Sequence, residues 1–261
     1  MSGATSAGPR SMNKSDPLPV FYINLDSRPD RCAFMLHQFD SLGIDAIRVP
    51  GRVGVAANGL SAAQIGASSS HAAVWELICA GSAPAGVVFE DDAVLSPRIS
   101  DLLRDPALQS DWYDVLRLET RMFPLRLGRP SAEPMAPPFT ARRQLSPLAG
   151  STGYVISRKA AAELRRSPEL WDRPIDVYMF GIPRILDMKM MQIAPAPVVS
   201  LELYDPTRSE ARSDAVGTFE LPPSAGWGRR WRRRLSAVVR YPVVDTVFGM
   251  RASDVPFCGD T

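Results

Sequence analysis

Cysteine and histidine are scarce in this sequence, and their scarcity disfavours two classes of site. The three cysteines, Cys32, Cys79 and Cys258, are far apart and form no Cys-x-x-Cys pair. This spacing predicts neither a disulfide framework nor a zinc site, and it fits a reducing compartment. The two histidines, His37 and His71, leave little scope for histidine-based chemistry.

Long apolar runs and glycine-rich phosphate loops are also missing. No run of about 18 apolar residues occurs, so we expect no membrane-spanning helix. Residues 1–18 are small and polar without an apolar core, which predicts a disordered leader rather than a signal peptide. Gly51, Gly54 and Gly59 lack the Gly-x-Gly-x-x-Gly spacing, which argues against a dinucleotide-dependent oxidoreductase.

The overall composition is that of an ordinary globular protein. Of 261 residues, 45% are hydrophobic and 22% are charged, so the chain can bury a core without disulfides. The net charge of +2 names no partner, although basic residues are concentrated near the C-terminus. We expect a leader over 1–18, one folded domain over 19–225 and a basic amphipathic tail over 226–261.

Strand patterns alternate with helix patterns along the chain. An apolar, β-branched run predicts a strand over 19–25, and a helical repeat starts near Pro29 and ends at Gly43. Ser61 and Gln64 form a capping-box pattern before a helix over 62–80. Further strands are expected over 45–51, 85–91, 114–119 and 191–203. Residues 151–166 predict a strand that leads into a helix capped at Ser157. Residues 175–190 predict helical segments broken near Gly181 and Pro183.

This alternation predicts an α/β fold with a central, mostly parallel mixed sheet flanked by helices. One stretch does not fit the pattern. Residues 121–147 are rich in proline and arginine and show no clear period. They predict a long loop or lid.

Three adjacent carboxylates, Glu90, Asp91 and Asp92, follow a buried strand directly. Ligands of open α/β sheets bind beyond the carboxyl ends of strands, so we expect these acids to face a ligand. A hard divalent cation, Mg²⁺ or Mn²⁺, would supply the counter-charge, and a nucleotide diphosphate would complete its oxygen ligands. The alternative is a solvated loop that caps the next helix.

Four segments carry a resemblance to a known family. Along residues 19–180 they are FYINLDSRPDR, LSAAQIGASSSHAAVWE, VVFEDDAVL, and GSTGYVISRKAAAEL followed by PIDVYMF. Together they resemble glycosyltransferase family 25, the lipooligosaccharide-biosynthesis group that includes β-galactosyltransferases. The resemblance implies a GT-A-like fold, a UDP-sugar donor, typically UDP-galactose, and inverting transfer to a cell-surface glycan or lipooligosaccharide.

On this resemblance the three acids take the part of an Asp-x-Asp motif. Asp92 becomes the expected ligand of Mn²⁺ or Mg²⁺, and Glu90 and Asp91 would contact the donor ribose or sugar. The other expected donor-binding residues are Asn24, Asp26, Arg28, Arg31, Ser70, His71, Thr152, Gly153 and Tyr154. Helix capping is the alternative for the first four, and a buried histidine bonded to a carbonyl is the alternative for His71.

An inverting transfer needs a general base for the acceptor hydroxyl. Asp176 is the first candidate, because it lies among apolar residues that would raise its pKa, and Asp172 is the second. Capping of the following helix is the alternative for Asp176. The sequence departs from the family at Gln64, usually an acid, and at Ala67, usually a cysteine. It also has no histidine after His71 to add a metal ligand.

A basic, aromatic cluster lies near the C-terminus. Its members are Arg229, Arg230, Trp231, Arg232, Arg233 and Arg234. Such a composition is typical of helices that lie on anionic membrane surfaces, and it predicts a cytoplasmic protein held peripherally on the inner face of a membrane. A solvated basic surface is the alternative, and nucleic-acid binding is not expected. A transferase fold that binds nucleotide or glycan without turnover remains a second class of function.

Overall fold

A computed structural model describes residues 17–208, 210 and 252–259 of the chain. The strands are β1 (Val20–Asn24), β2 (Ala46–Pro50), β3 (Ala85–Glu90), β4 (Ala93–Leu95), β5 (Val115–Arg117), β6 (Glu119–Thr120), β7 (Leu125–Pro130), β8 (Thr140–Gln144), β9 (Gly153–Ser157), β10 (Met190–Ala194), β11 (Val198–Ser200) and β12 (Ala252–Ser253). The α-helices are α1 (Pro29–Leu42), α2 (Ala62–Ala80), α3 (Ile99–Leu103), α4 (Arg158–Arg166), α5 (Ile175–Phe180), α6 (Ile182–Asp187) and α7 (Leu201–Tyr204). Two 3-10 helices cover Pro106–Gln109 and Pro168–Trp171. Within this part of the chain no helix is long and apolar enough to cross a bilayer.

The helix boundaries follow the local signals in the sequence. Pro29 occupies the first turn of α1, and Gly43 ends that helix in the left-handed conformation with φ of 63°. The predicted capping box of α2 is present, since Gln64 N donates to Ser61 Oγ at 3.2 Å and Ser61 N donates to Gln64 Oε1 at 2.9 Å. Ser157 caps α4 as predicted. Gln64 therefore serves as a helix cap, which explains why an uncharged residue is accepted there.

A mixed sheet of nine strands forms the centre of the fold. Its order is β12-β7-β8-β10-β5-β9-β3-β1-β2. The α/β class with a mixed sheet flanked by helices is confirmed. The sheet is less parallel than predicted, because only the pairs β1–β2, β1–β3 and β5–β10 are parallel. Strand β9 lies antiparallel between β3 and β5, and β8 lies antiparallel to both of its neighbours.

Two hydrophobic clusters cover the two faces of the sheet. Met35 and Phe39 of α1 pack with Val87 and Phe89 on one face. Trp75 of α2 and residues of α4 and α5 pack with Val88 on the other. Because successive residues of β3 point to opposite faces of the sheet, this strand contributes side chains to both clusters. Its carboxyl end lies at the edge of the sheet, between the two layers.

Three predictions about elements differ from the structure. Residues 121–147 contain the antiparallel pair β7–β8 and are not one long loop. The predicted strand over 114–119 is split between β5 and β6, and β6 belongs to a second sheet with order β4-β11-β6. The run over 191–203 forms β10, β11 and α7.

The predicted tail over 226–261 includes residues that pack on the fold. Strand β12 pairs with β7, and Cys258 N donates to the carbonyl oxygen of Ala196 at 2.8 Å. Val255 is buried with Leu125 and Leu127. The basic cluster, Arg229, Arg230, Trp231, Arg232, Arg233 and Arg234, lies outside the described residues.

Candidate active site

A cavity of about 530 Å³ opens where β1 and β3 end. Its wall combines the segment after β1, the segment after β2, one side of α2 and the three acids after β3. The polar residues of this wall include Ser27, Arg28, Arg31, Arg52, Ser70, His71, Glu90, Asp91 and Asp92. A cavity of this volume is large enough for a small-molecule ligand, and its place at the strand ends matches the usual ligand position of α/β folds.

Asp91 joins the ends of β1 and β3 to helix α1. Its Oδ2 accepts a hydrogen bond from Asn24 Nδ2 at 2.8 Å, and its Oδ1 accepts one from Arg31 Nη1 at 2.8 Å. All three residues are buried. Since both carboxylate oxygens are engaged by protein donors, the contacts of Asp91 serve to build the cavity wall.

The remaining polar residues after β1 form a second set of contacts. Asn24 Oδ1 accepts from Arg48 Nε at 3.0 Å, and Arg48 also pairs with the exposed Asp26 at 2.5 Å. Arg28 pairs with Asp30 at 2.8 Å, and this contact lowers the pKa of Asp30 to about 2. The structure thus brings Arg28 and Arg31 to the cavity wall. Asn24 is buried and contacts the wall residue Asp91, and neither Asn24 nor the exposed Asp26 belongs to the wall.

His71 lies in a buried hydrogen-bond chain that ends at Glu90. Trp75 Nε1 donates to Tyr154 Oη at 3.0 Å, Tyr154 Oη lies 2.7 Å from His71 Nδ1, and His71 Nε2 lies 3.1 Å from Glu90 Oε1. If the imidazole carries its proton on Nε2, each hydrogen-bonding proton in the series finds an acceptor. Trp75 then donates to Tyr154, Tyr154 to His71 Nδ1, and His71 Nε2 to Glu90. His71 therefore bonds to a carboxylate and a phenol, and the alternative of a carbonyl partner is wrong.

Glu90 receives a second hydrogen bond from Ser151 Oγ at 2.5 Å. Burial raises the pKa of Glu90, but the hydrogen bonds from His71 and Ser151 lower it, and the net shift is downward. Glu90 is therefore held as a carboxylate at the edge of the cavity.

Ser70 fastens the segment after β2 to helix α2. Its Oγ donates to the carbonyl oxygen of Gly66 at 2.7 Å and accepts from Arg52 N at 2.8 Å. The segment crosses the helix so closely that a Cβ on Gly54 would lie 2.5 Å from Gly66 N. Ser70, predicted as a donor-binding residue, thus fixes the backbone of the cavity wall.

Asp92 differs from Glu90 and Asp91 because one of its oxygens is buried and has no partner in the described part of the chain. Oδ1 is buried and accepts no hydrogen bond from any residue that the structure describes. Burial, together with the nearby charge of Glu90, raises the pKa of Asp92 to about 7. The backbone carbonyl of Asp92 accepts from Leu201 N at 2.7 Å, which holds this residue beside the second sheet.

An unpaired carboxylate oxygen in a cavity wall fits a hard cation, since the cation would supply the missing counter-charge. Among the described residues, no group of three or more His, Cys, Asp or Glu side chains is arranged as a metal site. The protein residues therefore fit a divalent ion only if a bound ligand, such as a diphosphate, contributes further oxygens.

The two candidate bases lie in different surroundings. Asp176 is in the first turn of α5, where Oδ1 accepts from Val177 N at 2.8 Å and the carboxylate also accepts from Gly150 N. Burial raises the pKa of Asp176, and the charge of Glu90 adds to this, while the two N–H donors and Arg117 oppose it. Asp172 is exposed at the end of a 3-10 helix. Pro174, not Asp176, is the N-cap of α5.

Thr152 and the first two residues of β9, Gly153 and Tyr154, lie next to this site. The Thr152 carbonyl oxygen accepts a hydrogen bond from Glu90 N at 3.0 Å. A Cβ on Gly153 would lie 3.0 Å from Val198 Cγ1, so the glycine permits close packing of β9 on β11. Tyr154 belongs to the hydrogen-bond chain of His71. Thr152 directly, and Tyr154 through His71, position Glu90. None of the three residues belongs to the cavity wall.

Sequence reasoning missed a buried ion pair next to these residues. Arg117 Nη2 donates to Glu119 Oε1 at 2.8 Å, and both side chains are fully buried. The signal was present, because two opposite charges two residues apart interrupt the apolar run DVLRLE.

An α/β fold with an acidic cavity at the ends of parallel strands is compatible with a Rossmann-like glycosyltransferase. The family model described as glycosyltransferase family 25 (LPS biosynthesis protein) matches residues 51–179. This segment, just under half of the chain, is similar to that family. The match includes α2, the three acids and Asp176, whereas the resemblance noted after β1 lies before it. A comparison with curated proteins finds no significant match.

Proposed function

We propose that the protein is an inverting glycosyltransferase that moves a hexose, most simply galactose, from a UDP-sugar to a cell-surface glycan or lipooligosaccharide. The match to this family supports a glycosyltransferase role in lipopolysaccharide biosynthesis. The observation that carries the finer proposal is the unpartnered, buried Oδ1 of Asp92 in a cavity at the strand ends.

The donor would occupy this cavity with its nucleoside against Leu25 and the glycine-containing segment after β2. Arg28 lines the same cavity and supplies positive charge for a diphosphate. Asp92 would hold Mn²⁺ or Mg²⁺ together with diphosphate oxygens. When bound, such an ion neutralises charge that develops on the departing UDP.

The acceptor hydroxyl would lose its proton to Asp176. In the transfer, the hydroxyl oxygen forms a bond to the anomeric carbon, the bond from that carbon to the UDP oxygen breaks, and Asp176 takes the hydroxyl proton. Burial raises the pKa of Asp176 toward the range of a useful base. Glu90, held as a carboxylate by His71 and Ser151, would orient the sugar.

A peripheral position on an anionic membrane surface completes the proposal. The carbonyl oxygen of Glu210 accepts from Arg31 Nε at 2.8 Å beside the donor cavity, and Thr120 Oγ1 donates to the carbonyl oxygen of Val255 at 2.5 Å. Glu210 and Val255, which lie before and after Arg229–Arg234 in the sequence, thus both contact the described fold. Anionic headgroups attract such clusters by about 1 kcal/mol per basic residue, which would bring a cytoplasmic enzyme to a lipid-linked acceptor.

A transferase fold that binds nucleotide without turnover is the second candidate. This function is favoured because the described residues contain no group of three metal-ligating side chains, so Asp92 would have to hold the metal ion without a second protein ligand. Release of UDP in the presence of acceptor would distinguish the two functions.

Thermal unfolding with a panel of nucleotides tests the donor site. We expect a UDP-sugar at a hundredfold excess over its Kd to stabilise the fold by about 2.7 kcal/mol, which raises the melting temperature by roughly 5 to 10 °C. The panel is UDP, UDP-galactose, UDP-glucose and GDP-mannose, each with and without Mn²⁺. A rise with UDP species that requires Mn²⁺ supports the proposal, and no rise with any of them contradicts it.

Vesicle sedimentation tests the membrane contact. Serine replacements of Arg229, Arg230, Arg232, Arg233 and Arg234 should release the protein from anionic vesicles, because the attraction of each arginine is lost. Neutral vesicles and high salt serve as controls, since salt screens the attraction. Undiminished binding of the variant to anionic vesicles would contradict membrane anchoring by this cluster.

A further inference from the structure

The buried pair Arg117–Glu119 is incompletely satisfied by hydrogen bonds. Both side chains are 0% exposed, and two atoms, Arg117 Nε and Glu119 Oε2, have no hydrogen-bond partner among the described residues. Burial lowers the pKa of Arg117 and raises that of Glu119, which means that desolvation opposes both charges. Buried ion pairs with unsatisfied atoms are often no more stable than apolar residues of the same volume. A role other than stability is therefore indicated.

The guanidinium of Arg117 connects two separate segments. It donates to the carbonyl oxygens of Leu148 at 2.5 Å and Ala149 at 2.9 Å, just before β9. Its Cζ also lies over the ring of Phe180 in helix α5, 4.7 Å from the ring centroid. Arg117 thus fixes residues 148–149 against α5.

Glu119 fixes the other end of the same segment. Its carboxylate lies close to the Thr152 side chain, which lowers the pKa of Glu119. It also fills the space beside Gly150, where an added Cβ would lie 2.5 Å from Glu119 Oε1. Gly150 has φ of 121°, a conformation that side chains disfavour, so the segment needs external contacts to keep its shape.

The two segments joined by this pair carry the polar groups of the proposed chemistry. Gly150 N donates to the carboxylate of Asp176 on α5, and Ser151 Oγ donates to Glu90. A shift of residues 148–152 would therefore disturb Asp176 and Glu90 together, although neither Arg117 nor Glu119 belongs to the cavity wall.

We propose that Arg117 and Glu119 are positioning residues that hold residues 148–152 against helix α5 and thereby align Asp176 and Glu90 for transfer. This inference rests on the proposed function. It predicts that replacing the pair lowers turnover in a protein that is still folded and shifts the pH profile set by Asp176, which a purely structural role would not produce.

The double variant Arg117→Met with Glu119→Leu tests this prediction. We expect a folded protein with a lower melting temperature, because the Leu148 and Ala149 carbonyls lose their donor. We also expect a kcat lower by about 100-fold and an unchanged melting shift with UDP and Mn²⁺. The acidic limb of the kcat/KM profile should move to higher pH. Loss of the Gly150 N–H bond and of the Arg117 charge raises the pKa of Asp176, while Glu90 still faces it.

Two further variants complete the experiment. Arg165→Met with Glu76→Leu removes an exposed Arg–Glu pair between α4 and α2, and this control should retain wild-type kcat. Arg117→Lys keeps the charge but loses the planar fork to the two carbonyls, so it should fold and still lose kcat. A folded double variant with kcat within threefold of the wild type would overturn the proposal. If the double variant does not fold, wild-type kcat in Arg117→Lys would overturn it.

An inactive wild type would contradict the proposed function and would leave the positioning role testable. The Gly150 amide should be protected from hydrogen exchange in the wild type, because it donates to Asp176. In the double variant this amide should exchange at least tenfold faster. Equal exchange rates in the two proteins would overturn the positioning role independently of turnover.

Discussion

Asp92→Asn should lower the rate of sugar transfer roughly 10³-fold while the protein remains folded, because a metal ligand contributes several kcal/mol to the transition state. Burial raises the pKa of Asp92 to about 7, so the ionised form is disfavoured in the fold. A neutral amide of the same shape removes that penalty, and the melting temperature without ligand should be unchanged or higher. The measurements are UDP release with acceptor and the melting shift with UDP and Mn²⁺, which the variant should lose.

Asp101→Asn provides the matched control for this experiment. Asp101 is an exposed aspartate of α3 that pairs with Arg98. Its replacement should leave both transfer and the Mn²⁺-dependent shift at wild-type levels. A wild-type rate in Asp92→Asn would show that the metal assignment is wrong.

Asp176→Asn is the second large effect. Loss of a general base typically costs about 10² to 10⁴ in rate, so we expect kcat to fall by that factor. Donor binding should persist, because Asp176 does not belong to the cavity wall. In the wild type, kcat/KM should fall as the pH drops through the pKa of Asp176, which burial raises above the ordinary aspartate value of about 3.9. The variant should lack this acidic limb.

Asp172→Asn separates the two bases that the sequence offered. Asp172 is exposed at the end of a 3-10 helix, so its replacement should change kcat by less than the replacement of Asp176. The reverse ranking of the two variants would assign the base to Asp172 and remove Asp176 from the mechanism.

Much of the fold could be predicted because local signals and tertiary packing agree. The capping box of α2, the glycine that ends α1 and the apolar run of β3 are each decided within a few residues of chain. The pair β7–β8 could not be predicted in this way. Arginines and prolines obscure its alternation, and its stability comes from distant partners, with β8 on β10 and β12 on β7.

The candidate site shows the same division between local and distant information. The sequence indicated the acids after β3 and located them at a strand end. It could not say which acid is engaged by protein donors. Asp91 accepts hydrogen bonds from Asn24 and Arg31, which lie 67 and 60 residues away along the chain. The roles of Ser70 and Glu90 likewise depend on Arg52 and Ser151, and these contacts exist only in the folded chain.

Strand β12 has a consequence for how the protein is made and truncated. It covers the edge of β7. Just after it, the carbonyl oxygen of Val255 accepts a hydrogen bond from Thr120 Oγ1. During synthesis that edge stays uncovered until residues 252–259 have left the ribosome, which is the state in which exposed edges pair with other chains. A shortened protein that stops before residue 252 to remove the basic cluster would also lose this cover. Its aggregation could be mistaken for a defect in membrane targeting, so point substitutions are the better choice.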